Sequence, residues 1–144
     1  MQINTSRFGQ LEVEPNDMIV FPRGILGLEE IKEYVLLGEV DPFGFLQAVH
    51  EPDLTFVVID PRLLVHDYKV EFSNEEVKEI KLEEKGEFAL LAIVTIPEDA
   101  EKMTANLQAP LLINGTNRLA KQLVLKEGAY ALRHPILNAA DKTA

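Results

Sequence analysis

The chain has 144 residues, 47% hydrophobic and 26% charged, with 24 acidic and 14 basic side chains for a net charge of −10, and no cysteine. That is the length of one domain, with enough apolar material for a core without covalent staples, and it excludes disulfides, thiolate nucleophiles and cysteine-based metal sites. The acidic excess repels phosphate backbones, which argues against direct nucleic-acid binding and is met either by a basic partner or by simple solubility.

Short apolar runs cut by Gly and Pro dominate the chain. Residues 3–8 predict a first strand, closed by Gly9. Leu11 and Val13 then alternate with Glu12 and Glu14, the period of a half-buried strand. Residues 18–21 form a short run stopped by Pro22, and the spacing of Leu28, Ile31 and Tyr34 predicts a short helix over 27–34. Residues 35–37, 45–49 and 56–59 read as strands, the last ending at Asp60-Pro61. Tyr68, Val70 and Phe72 alternate with Lys69 and Glu71, which predicts another. Ser73 and Glu76 have the spacing of a capping box, so a two-turn helix is expected over 74–80, with Val77 and Ile80 inward.

Residues 88–96 are apolar on both faces apart from Thr95, as in a strand covered on both sides. The run is about half as long as the ~20 residues of a membrane-crossing helix. Residues 111–113 and 122–125 flank a turn containing Asn114-Gly115, a hairpin cue because both residues tolerate positive φ. Residues 138–144 (NAADKTA) read as a loose tail, leaving one domain over 1–137. The expected fold is therefore mainly β: a compact, antiparallel, β-barrel-like single domain with one or two short helices. The start, MQINTSRFGQLEVEP, lacks the basic-then-apolar pattern of a secretory signal, so the expected location is the cytoplasm, with no membrane association.

Catalytic motifs are missing. His50, His66 and His134 are too far apart for a local metal pair, and there is no phosphate loop, dinucleotide fingerprint or nucleophile elbow. Gly24-Ile25-Leu26-Gly27 has the spacing of an RNA-gripping loop, but its interior is apolar and it reads as a tight turn after Pro22-Arg23. From 71 to 87 there are seven Glu against Lys78, Lys81 and Lys85, either a solvated face or a docking patch for a basic partner. No cofactor, metal or catalytic residue is expected. A hydrolase built on Asp60 or His50 has no motif behind it.

Several stretches in order resemble the flagellar assembly factor FliW family over nearly the whole chain. Ile19-Val20-Phe21-Pro22-Arg23-Gly24-Ile25-Leu26-Gly27-Leu28 is similar to that family's I-x-F-x-x-G-I-x-G-F segment, with Leu28 where Phe is usual. Phe45-Leu46-Gln47-Ala48, Pro52, Phe56 and Asp60-Pro61 resemble its F-x-x-L-Q-S … P … F … D-P region, with Ala48 in place of Ser. Thr104-Ala105-Asn106-Leu107-Gln108-Ala109-Pro110-Leu111-Leu112-Ile113-Asn114 resembles the distinctive T-x-N-L-x-A-P-I-x-I-N. The resemblance implies a barrel-like β fold and a partner switch. Members bind flagellin and, when free of it, bind the CsrA translational repressor and antagonise its RNA binding allosterically, away from the RNA-contacting surface.

Phe43, Phe45, Gln47, Asn106, Leu107, Gln108 and Pro110 are the expected contact residues. They are aromatics and amides at strand ends, with their apolar neighbours, where core packing does not obviously demand them. The plainer role for Asn106 and Gln108 is to satisfy a turn or bulge. With no long exposed apolar stripe, a monomer is expected. The competing function is a small-molecule-binding β-barrel, which requires a roomy apolar interior.

Overall fold

The computed structural model describes residues 1–136, so the expected tail lies outside the described part. Strands β1 (Gln2–Thr5) and β2 (Gly9–Glu12) form a separate antiparallel hairpin. A meander follows, made of β3 (Met18–Val20), β4 (Glu33–Leu37), β5 (Phe43–Ala48), β6 (Thr55–Ile59) and β7 (Phe88–Thr95), each antiparallel to the next. Beyond β7 the sheet forks. One half of β7 pairs with β9 (Leu111–Asn114), which carries β10 (Ala120–Gln122). The other half pairs with β8 (Thr104–Ala105), which carries β11 (His134–Pro135).

The sheet curls until its two ends meet at a single parallel bridge, Val20 to Leu119, where the Val20 N–H donates to the Arg118 carbonyl at 3.1 Å. That single bridge leaves the sheet an open curl, so the barrel-like expectation holds for shape and antiparallel order and stops short of closure.

The curl has a filled inside. Ile19, Phe21, Tyr34, Leu46, Val58, Leu91 and Leu111 pack together there, all buried. Phe21 meets Tyr34 edge-on at 5.5 Å, and burial pushes the Tyr34 phenol up to about 12. The open interior that a small-molecule barrel needs is occupied by side chains.

The outer face is covered in two places. The β1–β2 hairpin buries Ile3 and Val13 against Val35 and Val49. Residues 60–82 and 119–136 cover the other end, where Leu90, Ala92, Val94, Leu107 and Leu112 pack with Tyr68, Val77 and Ile80. Strand β7 thus sends alternate residues into two cores, as its doubly apolar sequence predicts.

Neither expected helix forms; among the described residues the helical elements are 3₁₀ turns. Residues 27–34 begin with Gly27 at φ 87 and end in β4, where Tyr34 pairs with Ile19 and Ala48. The capping box is real: the Glu76 N–H donates to Ser73 Oγ at 3.1 Å and the Ser73 N–H to Glu76 Oε1 at 3.3 Å. It caps turns and a single 3₁₀ turn, Lys78–Ile80, ended by Lys81 at φ 55. The predicted strand over 68–72 also pairs with no other strand among the described residues.

The turn after β9 is a correction of detail. Neither Asn114 nor Gly115 has positive φ; Arg118 does, at 60°, in a hairpin closed by the Asn114 N–H to the Leu119 carbonyl at 2.9 Å. Gly115 serves close approach, since a Cβ there would lie 3.2 Å from the Glu87 carbonyl. Asn114 is buried, and its amide donates to the Ile80 carbonyl at 2.9 Å, pinning the 3₁₀ turn to the sheet.

Gly24 and Gly27 hold a tight turn, with φ of 69° and 87°. A Cβ on Gly24 would fall 2.5 Å from the Glu29 backbone, whereas one on Gly27 meets nothing. Gly24→Ala therefore adds a backbone clash to left-handed strain and is expected to cost at least about 2 kcal/mol, against about 1 for Gly27→Ala. Urea denaturation of the two variants checks the order; equal losses would show that the Glu29 contact is not the constraint.

A second test concerns Glu79, which joins three segments. It pairs with Arg23 after β3 and with Lys121 of β10, whose Nζ lies 2.8 Å away. The Lys121 ammonium is the largest cause that holds the Glu79 carboxyl below its ordinary value of 4.5; desolvation opposes it, and the Arg23 guanidinium adds to the lowering. A lowered folded-state pKa contributes stability that is present above 4.5 and is lost as pH falls through the folded value. Glu79→Gln should thus be less stable than wild type at pH 7, with the gap narrowing below 4.5. Urea titrations across that range read the effect, and a constant gap contradicts it.

Candidate protein-binding surface

The expected contact residues fall into different settings. On β5, Phe43, Phe45 and Gln47 share the outer face, while Gly44, Leu46 and Ala48 face the inside. Phe43 is half-buried against the outer core that also holds Leu107. Phe45 lies apart, under the β1–β2 turn: the Phe8 ring sits edge-on at 5.1 Å and the Arg7 guanidinium 5.4 Å above its face. Half-buried, Phe45 remains in reach of solvent.

Gln47 is fully buried. Its amide donates to the Ala48, Glu51 and Pro52 carbonyls at 3.1, 3.3 and 3.3 Å, and its oxygen accepts from the Thr55 hydroxyl. It clamps the β5–β6 turn from within, and burial keeps it from touching a partner in this conformation.

Asn106, Leu107, Gln108 and Pro110 lie in a bulge of the strand that faces β7. Between the pairs Val94–Ala105 and Leu91–Leu111, five residues (106–110) stand opposite two, Ala92 and Ile93. Asn106 shapes it, with its side-chain oxygen accepting from the Gln108 and Ala109 N–H groups at 3.1 and 3.0 Å. This is the plainer role that the sequence allows for Asn106. Leu107 and Pro110 point inward and are buried; Asn106 and Gln108 stay half-exposed.

Four of the five bulge carbonyls are answered. Leu107 accepts from the Tyr68 hydroxyl at 2.6 Å, Gln108 from the Leu125 N–H at 2.8 Å, Ala109 from the Gln122 amide at 3.2 Å and Pro110 from the Leu123 N–H at 2.9 Å. Burial, with a smaller push from Tyr130, raises the Tyr68 phenol above its ordinary value, so it stays protonated and donating.

The bonds from Leu123 and Leu125 keep the register of the Ala120–Ile113 and Gln122–Leu111 pairs. The strand expected over 122–125 lies earlier, as β10 at Ala120–Gln122, and residues 123–125 follow its register along the bulge through these two bonds alone. Its far edge is free: Val124, 65% exposed, has neither its N–H nor its carbonyl paired to backbone among the described residues.

Across an open groove of about 600 Å³ stands the run 68–72. It alternates in burial like a strand, Tyr68, Val70 and Phe72 inward and Lys69 and Glu71 outward. The N–H groups of Val70, Glu71 and Phe72 also have no backbone partner among the described residues. One end of the groove is bridged by Tyr130, whose hydroxyl accepts from the Lys69 N–H at 2.9 Å while its ring packs 4.4 Å from that of Tyr68. The other end is bridged by Lys121, donating to the Glu76 carbonyl at 2.8 Å. The sequence held one signal of this groove, a strand pattern at 68–72, but not the absence of a sheet partner for it.

No cluster of metal-binding side chains occurs among the described residues, and no described helix is long and apolar enough to cross a membrane. A family model described as FliW protein matches residues 2–136. The chain belongs to the FliW family of flagellar assembly factors.

The FliW family relatives are alike over nearly their whole length. A flagellar assembly factor FliW of Thermoanaerobacter pseudethanolicus is 41% identical over 140 residues, 95% of this chain and 93% of that protein. That of Geobacter sulfurreducens is 39% identical over 145 residues, 99% and 91% of the two chains. A crystal structure of the flagellar assembly factor FliW superposes with a TM-score of 0.85 at 34% identity, covering 94% of this chain and 96% of the other.

The role of Asn106 is testable. Asn106→Ala removes the acceptor for two bulge N–H groups and should cost about 1–2 kcal/mol, whereas Asn106→Asp keeps it and should lose little. Thermal or urea unfolding separates the two, and equal losses contradict the acceptor role.

Proposed function

We propose that this FliW-family chain works by holding proteins and not by catalysis, as a monomer in the cytoplasm. It binds flagellin. When flagellin has been exported, the freed chain binds the CsrA-type repressor and weakens its grip on flagellin messenger RNA allosterically, so flagellin synthesis resumes. Excess flagellin draws the chain back. If the partners exclude each other, mass action alone performs the switch.

The family match over residues 2–136 carries this reading. The charge of −10 supports it, because such a chain beside an RNA-binding protein disfavours an approaching phosphate backbone without covering the RNA site. Of the expected contact residues, Phe43, Phe45, Asn106 and Gln108 are the ones with solvent exposure to offer, while Gln47, Leu107 and Pro110 are buried.

The test is a three-component titration. Labelled repressor on flagellin leader RNA receives this protein and then flagellin, at low and physiological salt. RNA is expected to be released and then recaptured, with weaker release at physiological salt, where the screening length is about 8 Å. Binding of neither partner at micromolar concentration overturns the proposal. Folded Phe45→Ala and Asn106→Ala proteins that bind both partners like wild type would remove those residues from the contact surface.

A further inference from the structure

The unpaired backbone on both walls of the groove has a definite complement. We infer that the groove between residues 68–72 and the Val124 edge of β10 is a strand-insertion site for an extended, basic segment of a partner polypeptide. The inference rests on the reading of this chain as a protein-binding factor.

Val124 offers one N–H and one carbonyl on the outer edge, between Leu123 and Leu125, which bond inward. On the opposite wall the Lys69 N–H is already taken by the Tyr130 hydroxyl, and Glu71, two residues further along the extended run, turns its free N–H to the same side. A backbone in β conformation matches both walls at once, with side chains alternating in and out. Its strand would sit between the walls at the usual spacing of about 4.8 Å from each.

Charge narrows the occupant. Asp67, Glu71 and Glu76 line the groove and none is in an ion pair among the described residues. Lys69 and Lys126 offset part of that charge, but the chain as a whole carries −10, so a basic segment is drawn in and an acidic one is repelled. Val124, exposed and β-branched, gives the incoming strand an apolar contact.

Proline discriminates this site from a mere surface. Val124→Pro deletes an N–H that bonds nothing in the free protein, so the fold should stand while the edge can no longer donate. Val124→Thr keeps that N–H and serves as control, and Glu71→Pro removes a donor from the other wall. The probe is an end-capped octapeptide alternating Val and Lys, titrated into the isotope-labelled full chain and followed by amide shifts and hydrogen exchange.

Wild type and Val124→Thr should show shifted, protected amides at residues 71 and 124. Val124→Pro and Glu71→Pro, with unchanged Tm, should bind about tenfold more weakly, the loss expected when one hydrogen bond of an incoming strand goes. Absence of any change at these amides at millimolar peptide, or binding by both proline variants as tight as that of wild type, overturns the inference.

The same proteins are titrated with flagellin and with the repressor. If both partners bind and neither proline variant weakens either partner or the peptide, the groove inference fails and the proposed function stands. If the peptide enters the groove and neither partner binds, the functional reading fails and the groove stands.

Discussion

Everything in this fold is arranged around a strand with no solvent face. Over most of its length β7 presents Leu90, Ala92 and Val94 to one side and Leu91 to the other, and each side needs cover. A flat sheet with one polar face cannot provide it. The curl of the meander supplies one cover by wrapping β3, β4 and β5 round to enclose Leu91. The long connection over 60–87 and the chain after β10 supply the other. A connection longer than about 15 residues inside a small domain is uncommon and usually has a task. Here the task is burial, and Tyr68, Val77 and Ile80 perform it.

The bulge opposite β7 follows from the same demand. A regular strand from 104 to 114 would leave the outer core without the Leu107 side chain, which is fully buried there. Truncating such a side chain typically costs 2–5 kcal/mol, so the three extra residues that let it reach inward are worth their disorder in the ladder. Their freed carbonyls would each cost about 1–3 kcal/mol if left buried and unpaired. The neighbours answer them: a phenol from 68, an amide from 122, and backbone N–H groups from 123 and 125. Those answers pull β10 along the bulge, and this is why its outer edge at Val124 comes to stand opposite the unpaired run 68–72. The groove is a consequence of how one strand is buried.

The strands were legible in the sequence because each is short, β-branched or alternating, and stopped by Gly, Pro or Asn. The helices were misread for a physical reason. The Ser73–Glu76 capping box forms, but a cap adds little to a segment far below the ~12 residues at which a helix holds itself, and Val77 and Ile80 are buried as well from a 3₁₀ turn. Over 27–34, the spacing of Leu28, Ile31 and Tyr34 looks helical only if Tyr34 is counted, and Tyr34 is fixed in β4 by pairing with Ile19 and Ala48. Fork and bulge depend on register between distant segments, which one-dimensional patterns do not carry. For the contact residues, amides beside apolar strands are visible in sequence, but whether an amide stays half-exposed, like Gln108, or clamps a turn, like Gln47, depends on which distant segment covers it.

An open strand edge is a hazard as well as an opportunity, since another copy of the same chain could pair with it. This chain meets the hazard with charge. Two copies at −10 each repel as their edges approach, and the groove walls carry Asp67, Glu71 and Glu76 at the point of contact. A short edge, one residue of free backbone beyond the β10 ladder, adds little to hold such a pair together. The same field reverses for a basic chain, which is steered toward the edge and then finds unpaired donors on both sides. Acidity thus separates self from partner without any change of shape, and it acts most strongly at low ionic strength, where charges reach beyond about 10 Å.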